Sequence, residues 1–261
     1  MTATIEQPRV VSRSEWLAAR TALLEREKQL TRERDDLARR RRELPWVKVD
    51  KDYRFEGAEG PVSLGDLFAG RSQLIVYHFM YTPGWEHGCP SCSFGSDHFD
   101  AALPHLAARD VTLVAVSRAP YADFAPFKRR MGWQFNWVSS SGSEFSFDYH
   151  ASFSPELVAS GTAAYNFMPI PENAMLGLMD LPGISVFYRN EEGEIFHTYS
   201  CYARGIEPVI GTYSWLDLVP KGRDEDGLAY PMAWVRHHDR YDESYAVDPK
   251  AGYPMPPTRN G

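Results

Sequence analysis

Cysteine is scarce in this sequence: Cys89, Cys92 and Cys201 are the three in 261 residues. Three are too few for a disulfide framework and leave one thiol odd, so cross-linking is not what organises the chain. Long apolar runs are missing as well. No window approaches the roughly 18 to 20 uninterrupted apolar residues that span a bilayer. The opening stretch, MTATIEQPRVVSRSEW, has neither the basic start nor the apolar core of a signal peptide. The expectation is a cytoplasmic protein with no membrane partner. Nor is there an excess of positive charge: 28 Lys and Arg stand against 35 Asp and Glu, a net charge of -7, which argues against a nucleic-acid partner. Residues 1 to 45 depart from that balance, with 11 basic and 8 acidic side chains.

What is present is a close cysteine pair in a telling place. The stretch Leu74 to Cys92, LIVYHFMYTPGWEHGCPSC, is an apolar β-prone run that stops at a Pro-Gly loop and delivers Cys-x-x-Cys to a predicted helix start. A thiolate attacks and a thiol does not, so a working cysteine needs a pKa below its ordinary value of about 8.5. A helix N-terminus supplies unpaired N–H groups, and Pro90 suits the first helical position because it has no N–H to leave unsatisfied. Cys89 is the expected nucleophile. Cys92, one turn on and deeper, is expected to resolve the mixed disulfide. A second reading takes His87, Cys89 and Cys92 as metal ligands with His98 or His150 as the fourth, in a binding or structural module without redox turnover. A structural zinc site usually has a second knuckle, and none exists here.

Around this stretch the pattern alternates strand and helix, the signature of a parallel or mixed sheet covered by helices. From Ser12 to Glu43 there is no Gly or Pro, which predicts a long helix capped by Ser12 or Ser14. Leu23, Leu30, Leu37 and Leu44 form a narrow stripe on it, so docking onto the body or onto a second subunit, as a homodimer, is expected rather than an autonomous coiled coil. The Arg39 to Arg42 run reads as a solvated helix end. Short strands are predicted at Trp46 to Val49, Tyr53 to Phe55 and Pro61-Val62, and a brief helix capped by Ser63. The central strand, Gln73 to Tyr81, precedes a helix over Ser93 to Arg109 that Pro104 must kink or restart. A strand over Val111 to Val116, a helix over Tyr121 to Met131 and a strand over Trp133 to Ser139 follow. Ser140 to Leu181 is too apolar for a linker and reads as an ordered insertion, and the aromatics of residues 133 to 167 read as core. A β-hairpin spans Ile184 to Ser200, and a last helix Gly205 to Tyr213. The tail from Pro220 carries Trp234 to Tyr241, whose aromatics predict docking beside His237 and His238.

The order of strand, Cys-x-x-Cys helix, strand, helix, proline before a strand, hairpin and final helix resembles the thioredoxin fold, and Val62 to Phe68 resembles its peroxiredoxin-type variant. More closely, Tyr77 to Tyr81, Gly88 to Cys92, His197 to Ser200 with Tyr202 to Gly205, and Trp234 to Tyr241 resemble the thioredoxin-like domain of unknown function family 899, over nearly the whole chain. Members are often labelled dithiol-disulfide oxidoreductases by analogy. The resemblance implies an α/β, thioredoxin-like fold with a helical arm at 1 to 45, a domain at 46 to 219 with an insertion at about 140 to 181, and a C-terminal extension at 220 to 261. It implies thiol-disulfide oxidoreduction by Cys89 and Cys92 without an organic cofactor, on a substrate containing a disulfide or thiol. It places His78 where thioredoxins hold a buried acid beneath the cysteines, with a proton-moving role for the imidazole, although a core histidine bonded to backbone is an equally simple reading. It also implies a cis peptide before Pro182, exposing backbone beside the cysteines for an extended substrate. Trp85 and His87 in the loop are expected to shape access.

Two departures stand out. Gly88 occupies the position of the Trp that precedes a thioredoxin's first cysteine. Glu86 stands where a peroxiredoxin has Thr, which argues against peroxide reduction by that route; a thiol-dependent peroxide reductase with other activating residues is a third reading. Cys201 receives no role from the resemblance. The insertion and tail favour a small or particular disulfide over any exposed protein disulfide.

Overall fold

The computed structural model describes residues 8–170 and 179–241, so the expectations for 171–178 of the insertion and 242–261 of the extension lie outside the described residues. Helix α1 (Arg13–Arg42) starts in a capping box: Ser12 Oγ accepts from the Glu15 N–H, and the Glu15 carboxylate accepts from the Ser12 N–H. Four arginines close its last turn, where cations complement the helix dipole. They are solvated, as expected, and Arg39 and Arg40 pair with Asp36 one turn back. No α1 residue is buried, and Leu23, Leu30 and Leu37 stay about half exposed. The helix therefore does not pack its stripe on the body.

Strands β1 (Val47–Lys48), β2 (Arg54–Gly57) and β3 (Gly60–Ser63) lead into the short α2 (Leu64–Leu67), capped by Ser63. The core then runs through β4 (Gln73–His78), α3 (Pro90–Ser96), α4 (Phe99–Ala107), β5 (Val111–Ser117), α5 (Tyr121–Arg130) and β6 (Asn136–Ser139). The insertion holds α6 (Phe145–Asp148), α7 (Pro155–Ala159) and a small hairpin of β7 (Ala164–Tyr165) and β8 (Met168–Pro169). Strands β9 (Gly183–Arg189) and β10 (Ile195–Tyr202) form the expected hairpin; at its turn Asn190 Oδ1 accepts from the Glu194 N–H, and Gly193 takes a positive φ. A 3-10 turn (Ala203–Val209) and α8 (Gly211–Leu216) replace the single last helix expected there.

Eight of the ten strands among the described residues form one mixed sheet in the order β1-β10-β9-β4-β5-β6-β2-β3. Strands β4, β5 and β6 are parallel and joined by helical crossovers, whereas β9 is antiparallel to β4, and β10 to β9. Both faces of the middle strands are covered. Alternation sends Tyr77, Ala115 and Trp137 into a cluster with Cys89, Cys92, Phe124 and Phe127. Val76, Val114 and Val138 go to the opposite face, with Phe68, Phe145 and Phe187. Of the aromatics in 133–167, Trp133, Phe135, Trp137, Phe145 and Phe153 are buried core, as expected, whereas Phe167 is 75% exposed.

Two expectations are corrected. The helix over Ser93 to Arg109 breaks at Asp97 and His98, not at Pro104, which α4 tolerates in its second turn. The His98 Nδ1–H donates to the Phe94 carbonyl and ends α3 by satisfying a terminal acceptor. Furthermore, the Leu181–Pro182 peptide is trans; no cis bond occurs among the described residues. The extended chain is held at both sides of that bond, because the Leu181 N–H donates to Ala151 O and Tyr165 Oη donates to Pro182 O at 2.6 Å. Nothing there offsets the ordinary trans preference of about 0.5–1 kcal/mol.

Candidate active site

The central strand ends at His78, and the next ten residues carry the chain to Cys89. Three contacts set that loop: Phe79 N–H to Val116 O, Tyr81 Oη to Glu86 O, and Cys89 N–H to Met80 O at 3.1 Å. Gly88 is obligatory by close approach, since a Cβ there would lie 2.6 Å from the Phe79 ring and 2.8 Å from the Phe127 ring. Cys89 is the N-cap of α3 and Pro90 its first residue, as the spacing predicts. Ser93 donates to the Cys89 carbonyl through both its N–H and its hydroxyl, each at 2.9 Å.

Neither Cys89 nor Cys92 is in a disulfide. The Met80 N–H points at Cys92 Sγ at 3.5 Å, and the Tyr77 hydroxyl is a second donor to that sulfur. Burial pushes the Cys92 thiol well up, its hydrogen bond to Cys89 pushes it further, and the Met80 and Tyr77 donors oppose them. Cys92 thus holds its proton and offers it toward Cys89. Tyr77 is fully buried, and that burial holds its hydroxyl protonated. Cys89 is 5% exposed and Cys92 1%, so both cysteines lie under cover.

His78 is not beneath the cysteines. Strand alternation points it to the opposite face, stacked on Phe145 and Tyr149. Its Nε2 hydrogen-bonds Ser185 Oγ at 2.9 Å, and a buried polar line continues from Ser185 to Ser200 and on to His197. Burial lowers its pKa to about 3, so it is neutral, and its buried Nδ1 has no hydrogen-bond partner. The residue that faces the cysteines is the preceding one, Tyr77. A period-2 reading anchored on the apolar strand would have found it.

The cover comes from two segments outside the core. In the tail, Val235 is fully buried and Trp234 meets the Phe94 ring of α3 edge-on. The tail then brings the His237 Nε2–H to the Gly88 carbonyl at 2.9 Å. His237 Nδ1 accepts from Arg130 at 2.8 Å, and Arg130 also donates to Asp239 and, at 3.5 Å, to His87 Nδ1. Burial brings the His237 pKa down to about 4, which keeps the imidazole neutral and able to accept from Arg130. Burial, then Arg130, also lowers His87. His238 docks separately, on Asp97. Arg130 is legible in sequence only as one more cation in the last turn of α5.

The insertion supplies the second cover. Buried Asp180 accepts from Arg118 at 2.9 Å, from Ser152 at 2.6 Å and from the hydroxyl of Thr82 at the start of the cysteine loop. Tyr165 bridges Pro182 O and the Ala203 N–H. Trp85 is buried in the cysteine cluster, and His87 stacks on Phe127. The proposed metal set does not assemble: both ring nitrogens of His98 are engaged, with Phe94 O and Thr212. Among the described residues no three His, Cys, Asp or Glu side chains are gathered for a metal ion. Cys201 pairs laterally with Ile184, half-buried, and burial raises its thiol.

A central β5-β4-β9-β10 core, with the cysteine helix following β4, gives the chain a thioredoxin-like α/β fold. The chain belongs to the family described as bacterial protein of unknown function, DUF899, whose model matches residues 5–241. Among solved structures it is similar to peroxidoxin BcpB from Mycobacterium tuberculosis at 12% identity, over 65% of this chain and 95% of that one, with a TM-score of 0.41. PrxQ from Xylella fastidiosa, also at 12%, is similar over 65% and 94% with a TM-score of 0.42. A protein assigned as thiol:disulfide interchange protein DsbE from Chlorobium tepidum, at 14%, is similar over 65% and 97% with a TM-score of 0.39. No curated protein matches the chain in sequence. No helix among the described residues is long and apolar enough to cross a membrane.

Proposed function

We propose that the chain is a cytosolic thiol-disulfide oxidoreductase working through the Cys89-Pro90-Ser91-Cys92 dithiol. The observation that carries this reading is the pairing at α3: Cys89 caps the helix, and Cys92, one turn on, directs its proton toward Cys89 while taking donors from Met80 and Tyr77. Cys89 as thiolate attacks a disulfide, forming a mixed disulfide and expelling one substrate thiolate. Cys92 then gives up its proton and attacks Cys89 Sγ, releasing the second thiolate and leaving the Cys89–Cys92 disulfide. The Met80 N–H and the Tyr77 hydroxyl support the charge that develops on Cys92 during that second step. An external dithiol returns the pair to the reduced state.

Equilibration of the protein in dithiothreitol redox buffers, followed by thiol trapping and mass spectrometry, tests the reading. The expected result is a reversible two-electron couple on the peptide containing Cys89 and Cys92, lost in Cys89→Ser. A pair that stays reduced across the whole range of buffers overturns it.

A further inference from the structure

We propose, resting on the thiol-disulfide reading above, that the substrate is a low-molecular-mass disulfide and that extended polypeptide disulfides are shut out. A polypeptide docking beside the cysteines needs free backbone groups to pair with, and the carbonyls held by Tyr165, whose hydroxyl lies within electrostatic reach of Cys92, and by His237 at Gly88 are already taken. At Pro182 the neighbouring Leu181 N–H donates to Ala151 O, and Pro182 O accepts from Tyr165 Oη at 2.6 Å. Pro182 itself has no N–H to offer. Tyr165 in turn accepts from the Ala203 N–H, which fixes its hydroxyl in place.

Across the site, the carbonyl of Gly88, next to the nucleophile, accepts from His237. The tail cannot swing away cheaply: His237 is gripped by Arg130, Arg130 by Asp239, and Val235 is buried against α3. The two covers are independent. One comes from the insertion through Tyr165, the other from the extension through His237. Between them Cys89 keeps 5% of its surface, too little for a strand to lie alongside.

Electron balance needs no further reactant. The two thiols lose two electrons and two protons to form Cys89–Cys92, and the small disulfide takes them up to become two thiols.

The test is a single-turnover comparison. Reduced full-length protein is mixed with bis(2-hydroxyethyl) disulfide or with insulin, and formation of the Cys89–Cys92 disulfide is followed by alkylation and mass spectrometry. The expected outcome is oxidation about 100-fold faster by the small disulfide, the factor set by having to open two hydrogen bonds before a polypeptide can dock. Oxidation by insulin within about tenfold of the small disulfide overturns the inference and leaves the thiol-disulfide reading standing. Oxidation by neither overturns both. In Tyr165→Phe with His237→Ala, the insulin rate is expected to rise relative to the small-disulfide rate. An unmoved ratio in a double variant with wild-type circular dichroism overturns the assignment of the barrier to these two residues.

Discussion

His237 Nε2 lies 2.9 Å from the carbonyl oxygen of Gly88, so a residue near the end of the described chain is bonded to the one just before the first cysteine. The bond exists because Arg130 fills the other ring nitrogen and so selects the neutral tautomer with its proton on Nε2.

That neutrality predicts acid sensitivity. Folded His237 is held near 4, whereas its ordinary value is 6.5, so between these the unfolded chain binds the extra proton. Its stabilising effect is complete above pH 6.5, is lost as the pH falls and levels off near 4, amounting to about 3 kcal/mol at most. His78, held near 3, acts in the same direction. Urea midpoints measured from pH 7 to 4 are expected to fall, and His237→Gln, which keeps a donor and an acceptor without titrating, is expected to flatten part of that slope. A midpoint flat over this range contradicts the assignment.

Tyr77→Phe deletes a donor to Cys92 and keeps the ring. The resolving step is expected to slow by about 10- to 100-fold near pH 7, the worth of a hydrogen bond to a charged group. The mixed disulfide on Cys89 should accumulate and be visible by mass spectrometry after acid quench. Raising the pH should recover much of the loss, which a purely structural defect would not do. In contrast, His78→Phe is expected to leave the exchange rate within about twofold, because the imidazole faces away from the sulfurs.

Gly88→Ala sets a methyl group against the Phe79 and Phe127 rings, both almost fully buried. Overpacking of this kind costs about 1–3 kcal/mol. Chemical denaturation is expected to show that loss, and a neutral effect would mean the rings yield.

Asp180→Asn removes the charge that ties Arg118, Ser152 and Thr82 together. Breaking a buried ion pair costs about 3–5 kcal/mol, and the half-buried state of Arg118 puts this case at the lower end. Limited proteolysis is expected to cut within 142–170 in the variant before the wild type. Equal cleavage rates would show that the insertion does not depend on this pair.

Local pattern made most of the fold legible. The capping box at Ser12 and Glu15, the apolar run before Cys89, and the Asn190 to Gly193 turn each act within a few residues, so composition and spacing suffice to read them. The site was half legible for the same reason. Cys89 and Cys92 declare themselves by spacing, whereas the choice between Tyr77 and His78 depends on which face α3 covers, a tertiary fact. The hydrogen bonds that occupy the backbone beside Pro182 come from Tyr165 and Ala151, and the grip on Gly88 joins residues 149 positions apart. Such partners are chosen by packing, and no local signal announces them.

The buried line from His78 through Ser185 and Ser200 to His197 lies on the face of the sheet away from Cys89 and Cys92, yet it constrains how the strands may pair. Aliphatic side chains are nearly interchangeable across β4 and β9, so Val76 or Leu74 would accept Ile184 or Val186 as neighbours about equally well. A slip of β9 by one residue would turn Ser185 to the other face and set an aliphatic chain against His78 Nε2. The imidazole and the Ser200 hydroxyl would each lose a partner inside the core, at about 1–3 kcal/mol apiece. The polar partners of His78 thereby choose one alignment of β9 against β4, the strand from which the cysteine loop departs.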